Sequence, residues 1–198
     1  MRMIGLSLPL MVFAFAGLFS PGPNVLLLTA SGARFGFRAT LPHLLGVPVG
    51  TGLLAVASAL GVGTALLAAP AFKLSFQIAA ALWIIWLAWK TAKAGRAGRA
   101  ADPGKPFTFV QAILFQAVNP KLWAVTIAAA AGFGIGLSPQ AEAVRMFIVF
   151  TGLNVLVCLF WTAAGQALSV LLKSDTMWRV FMTAMAALMA ASSVLIFL

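Results

Sequence analysis

The sequence predicts an all-α integral membrane protein with six transmembrane helices, arranged as two inverted repeats of three. Three observations lead there. The chain is 63% hydrophobic and 8% charged, with a mean hydropathy of +1.07, whereas a soluble domain is about half apolar and about a quarter charged. No single core hides that much apolar surface, so the excess must face lipid. The apolar residues also fall into runs near the ~20 residues a helix needs to cross about 30 Å of hydrocarbon. Finally, a proline–asparagine pairing recurs half a chain apart.

The runs are 3–33, 39–69, 74–89, 106–141, 146–172 and 180–198. The first begins with one arginine, an apolar stretch and small residues, as a signal peptide does. Apolar sequence continues to Arg34, so this span is expected to be retained. The third run is short, and Lys90 and Lys93 can extend it by snorkelling. The connecting segments leave no room for a soluble domain. The chain therefore reads as one transmembrane domain, 1–198, with repeat one at 1–93, a polar loop at 94–106 and repeat two at 107–198. Of the six tryptophans, Trp86, Trp89 and Trp178 lie nearest the segment ends, where indoles anchor in the headgroup region.

The net charge of +10 invites a nucleic-acid reading, but the basic residues sit in short loops between apolar spans. Nine of the 13 Lys and Arg fall in loops one, three and five: Arg34, Arg38, Lys90, Lys93, Arg96, Arg99, Lys105, Lys173 and Arg179. Arg2, Lys73 and Arg145 lie on the opposite side. Positive charge collects in cytoplasmic loops, which places both termini outside, on the periplasmic side of a bacterial inner membrane. The partner implied is the lipid bilayer, not nucleic acid.

FSPGPNVLLL (19–28) and AVNPKLWAV (117–125) each set proline beside asparagine inside an apolar span, 97 to 99 residues apart. Proline breaks a helix interior but suits a helix start, preceded by a serine, asparagine or glycine cap. Asn119-Pro120, and either Ser20-Pro21 or Gly22-Pro23, are expected to open half-helices. With three helices per half, the second copy enters from the other side. Broken helices at matching positions of inverted repeats point to a transporter site near the midplane. Each start exposes N–H groups and a partial positive charge, suited to an anion. Lys121 stands beside one of them, roughly 15 residues and about 22 Å of helix from the interface near Lys105. A charge at that depth costs roughly 2.5–3.5 kcal/mol, which a substrate carboxylate would offset; snorkelling to the headgroups is the alternative. Gln116 and Asn154 are candidates for the ammonium of a zwitterion, although amides in membrane helices more often join helices.

His43, the only imidazole, is a candidate proton carrier, or else a satisfied interior histidine. It precedes Gly46-x-x-x-Gly50, a close-packing pattern; Gly132 and Gly136 share that spacing. The three carboxylates, Asp102, Glu142 and Asp175, all read as loop residues. Cys158 is alone in an apolar span and reads as a small hydrophobe. Neither a nucleophile triad, a metal cluster nor a phosphate loop is present, so no cofactor, metal or enzyme activity is expected. A passive channel and a non-transporting partner subunit are the rivals to a carrier.

The stretches SPGPNVLLLTASGARFGFRA, GVPVGTG, AAALWIIWLAWKTAKAG and FQAVNPKLW resemble, in order and spacing, the LysE/RhtB family of bacterial amino-acid exporters. The Pro-Gly-Pro-Asn, the WLAWK stretch and the asparagine in segment five are most similar to the cysteine/O-acetylserine exporter branch. The resemblance implies an inner-membrane carrier that moves amino acids outward by proton antiport, and it allows a homodimer. By position, Pro21, Gly22, Pro23 and Asn24 match the first family motif, and Asn119, Pro120 and Lys121 the second. Leu41-Pro42-His43-Leu44-Leu45, Trp83 and AAAAGFGIG depart from the family pattern, which bears on the substrate more than the fold.

Overall fold

In a computed structural model, residues 8–62, 68, 70–97 and 104–194 are described. Arg2 and Arg99 of the topology argument, and the carboxylate Asp102, lie outside them. The helices are α1 (Leu8–Phe19), α2 (Pro23–Phe35), α3 (Phe37–Ala59), α4 (Pro70–Arg96), α5 (Phe109–Ala117), α6 (Pro120–Gly132), α7 (Pro139–Leu171) and α8 (Asp175–Val194).

Among the described residues, four segments are long and apolar enough to cross a bilayer: α3, α4 from Leu74, α7 and α8. The pairs α1/α2 and α5/α6 pass the same test only together, and they bend by 57° and 66° at their breaks. The chain is an integral membrane protein, and both proline motifs interrupt helices as expected. Of the two starts open in the first half, the chain uses Gly22-Pro23. Pro23 holds the first turn of α2, and Ser20 instead turns its hydroxyl back to the carbonyl of Gly17 at 3.0 Å.

Several boundaries differ from the apolar runs, among them the ends of the third and the fourth. Helix α4 does not stop at residue 89 but continues through Lys90 and Lys93 to Arg96. Lysine is itself a good helix former, and the ammonium groups of these two lie over the rings of Trp86 and Trp89, 4.5 and 5.4 Å from the centroids, a favourable cation–π arrangement. The fourth run does not reach 141. Helix α6 ends at Gly132, a linker follows with Gly136 at φ +76°, and Ser138 caps α7 through the amide of Ala141 with Pro139 behind it. A serine–proline start outweighs apolar continuity.

Helices α3 and α7 form the central pair, flanked by α1, α2, α5 and α6, while α4 and α8 pack against each other. Leu10, Leu18, Leu54, Leu122 and Phe150 are buried in the larger apolar cluster. The Gly46/Gly50 pattern works within the chain. A β-carbon on Gly50 would come 2.7 Å from Gln116 Cγ and 2.9 Å from the Ile113 backbone, so glycine here lets α5 lie directly on α3. Gly132 and Gly136 meet nothing within 4 Å. Trp178 does not anchor at the interface; it is buried with Ala30, Ala33 and Met182.

Candidate functional site

Backbone freed by a break at membrane depth needs partners, and each break finds them differently. At the second, the indole of Trp123 donates to the carbonyl of Ala117 at 2.9 Å. At the first, Lys121 reaches across from α6 and donates to the carbonyls of Ser20 at 2.5 Å and Pro21 at 3.3 Å. An ammonium at the carbonyl end of α1 meets the negative pole of that helix. Lys121 therefore does not snorkel; it joins the two breaks. Gly22 makes room for it, since a β-carbon there would lie 2.8 Å from Lys121 Cδ.

A second bridge runs alongside. Asn24 donates to the Gln116 side-chain carbonyl at 2.7 Å, and Gln116 donates back to Asn24 at 3.2 Å and to the Ala112 carbonyl at 2.7 Å. Asn154, midway along α7, donates to Thr51 of α3 at 2.9 Å and accepts a weak bond from Cys158 at 3.6 Å. Both amides assigned to a ligand ammonium are thus engaged internally. Asn119 is not. It holds the cap position of α6 but makes no side-chain cap bond. It is 1% exposed, and its side-chain oxygen has no partner. A buried acceptor left in that state costs about 1–3 kcal/mol.

These groups enclose one crevice, lined among others by Gly22, Asn24, Asn119, Lys121, Asn154 and Cys158. Pro23 also lines it. Pro21 and Gln116 bond to its walls, and Pro120 begins α6 beside it. His43 is elsewhere: buried, its Nδ1 3.3 Å from the Ser31 hydroxyl, its ring 5.1 Å from that of Phe107, its Nε2 without a partner. The crevice holds about 10 Å³, room for about one water. A cavity of about 90 Å³ lies near the start of α3, lined by Arg34, Lys90 and Lys105. Another, of about 230 Å³, lies where α3 and α6 end and α7 begins.

Sequence reasoning missed the charged pair at that second cavity. In the sequence Arg145 reads as a topology signal and Glu142 as a loop carboxylate. They form an ion pair of 2.7 Å within the first turns of α7, with the Arg145 side chain 1% exposed. Their spacing of three residues on a helix was the available signal.

A set of membrane-embedded helices broken around a polar crevice is the architecture of a membrane transport protein. Residues 15–197 match the family described as LysE type translocator, and the chain belongs to that family. No curated protein and no solved structure matches it.

Proposed function

We propose that this protein is a secondary active exporter of amino acids or close derivatives across the bacterial inner membrane, with a proton as the coupling ion and both termini periplasmic. The observation that carries this reading is the convergence of two helix starts, at Pro23 and Pro120, on one crevice that also holds Lys121, Asn24, Asn119 and Asn154. The N–H groups of those starts and Lys121 suit a carboxylate. The unpartnered Asn119 oxygen suits an ammonium. Release of Lys121 from the Ser20 and Pro21 carbonyls frees its charge for substrate.

In its present state the crevice is too small for an amino acid, so substrate entry requires the broken helices to move. Cavities at opposite ends of α3, with a closed polar crevice between them, favour a carrier alternating between two faces over an open pore. The chain order of broken helix, helix, helix occurs twice, which supports the inverted-repeat reading. His43, buried with a free ring nitrogen, is the proposed proton carrier. All of these groups belong to one chain, so transport is assigned to the single subunit, also within a homodimer. The resemblance to the cysteine/O-acetylserine branch makes those solutes the first to test.

The test is flux in proteoliposomes containing the purified protein, with labelled cysteine, O-acetylserine, threonine, homoserine and lysine under an imposed pH gradient. Saturable, gradient-dependent uptake of one of them is expected. Non-saturating leakage would make the protein a channel, and silence from folded protein would remove the amino-acid reading.

A further inference from the structure

Helix α7 has 33 residues, about 50 Å, against about 30 Å of hydrocarbon. Its first turns therefore extend toward one face of the bilayer, and there Glu142 and Arg145 bracket the linker between α6 and α7. Arg145 donates to the Phe133 carbonyl at 2.6 Å and to Glu142 at 2.8 Å. Glu142 in turn accepts from the Ile135 amide at 2.7 Å. The linker is tied at both the carbonyl side and the amide side. The ring of Phe133 also packs on Phe13 of α1, with centroids 5.1 Å apart. The ion pair thus fastens the far end of α6 to α7, and through Phe133 that end also rests on the middle of α1. Beneath it lies the cavity of about 230 Å³, lined by Ala59, Ala130, Gly134 and Met146 as well as the pair itself.

We propose that Glu142 and Arg145 form the latch that closes the crevice from this end, and that this cavity is the vestibule a leaving solute crosses. The pair positions the gate and does not bind substrate: both side chains spend hydrogen bonds on each other and on the linker. A pair whose partners are an ion and a linker backbone opens as a unit, since losing one partner strands the other. The inference builds on the carrier reading but is tested without transport.

Cys158 is the only cysteine in the chain, is buried, and lines the crevice, so it reports access without any engineered thiol. The protein in lipid nanodiscs, open to solvent on both faces, is treated with a small charged thiosulfonate, and the rate of Cys158 modification is measured. Glu142→Gln and Arg145→Gln are expected to raise that rate at least about tenfold, and Glu142→Asp, which keeps the charge but shortens the reach, by less. Gly134→Leu places a side chain into the vestibule, where a β-carbon meets nothing within 4 Å, and is expected to slow modification in the Glu142→Gln background. Unchanged rates in variants that remain folded would reduce the pair to a structural tie and overturn the latch. If a charge variant fails to fold, Glu142→Asp, alone and combined with Gly134→Leu, decides in the same way. Faster modification in the variants alongside absent flux in the parent protein would keep the latch and remove the carrier; normal parent flux with unchanged modification in the variants would do the reverse.

Discussion

The ammonium of Lys121 lies 2.5 Å from the carbonyl of Ser20, a residue 101 positions earlier. This contact explains how a lysine is tolerated at depth in an apolar run. Its charge answers backbone acceptors that the first break exposes, so the second break supplies a donor that the first lacks. In the proposed transport cycle, substrate competes with this bond.

Replacing Lys121 by methionine keeps the length and removes the donors. The Ser20 and Pro21 carbonyls then lose their partner, at about 1–3 kcal/mol of stability. The catalytic efficiency of transport should fall at least about tenfold, with insertion into the membrane retained. Proteoliposome flux normalised to folded protein checks this, and wild-type flux from the variant would take Lys121 out of the transport cycle.

The Asn24–Gln116 bridge should show energetic coupling. Asn24→Ala and Gln116→Ala each strand the same pair of bonds, so the double variant should be less destabilised than the two singles added. A coupling of about 0.5–1.5 kcal/mol is expected for polar contacts between membrane helices. Unfolding of the four proteins in mild detergent with increasing dodecyl sulfate measures it. Strict additivity would mean that the bridge carries no weight.

Gly50→Leu tests the approach of α3 and α5. The new side chain meets Gln116 and the Ile113 backbone, and backbone cannot yield as a side-chain tip does. Overpacking of this kind costs about 1–3 kcal/mol. Gly132→Leu, with open space at its β-carbon, should cost little by comparison. Equal losses at the two positions, read in the same unfolding experiment, would contradict the packing described.

Much of this was legible in the sequence for a physical reason. Lipid admits helices and little else, so apolar run length reports spans directly, and proline inside such a run reports a break. The placement of Asn24, Asn119 and Lys121 around one crevice follows from the spacing of the two breaks. What the sequence hid was pairing. The contact of Lys121 to Ser20 is long-range and made to backbone, which carries no residue signature. The partners of Gln116 and Asn154 are equally remote in sequence: Asn24 and Thr51 lie 92 and 103 residues away. Arg145 read as a loop cation because an apolar-run count ends at the first charge, while the helix starts at Ser138-Pro139 and includes it.

Asn119 separates function from stability most sharply. Its side-chain oxygen is buried without a partner, and the same oxygen faces no cap N–H, so folding gains nothing from it. An apolar residue of similar size removes that penalty. Asn119→Leu should therefore be as stable as the parent or more so, by up to about 1–3 kcal/mol. If the oxygen serves a substrate ammonium, the same variant should raise the KM of transport at least about tenfold, and a solute bearing a carboxylate but no amine should lose far less. Asn119→Gln, which retains the amide on a longer arm, should fall between. The result that counts against this assignment is a variant that is destabilised and transports with unchanged KM. That outcome would make Asn119 a structural residue whose partner is a water, and would leave the ammonium to some other acceptor in the crevice.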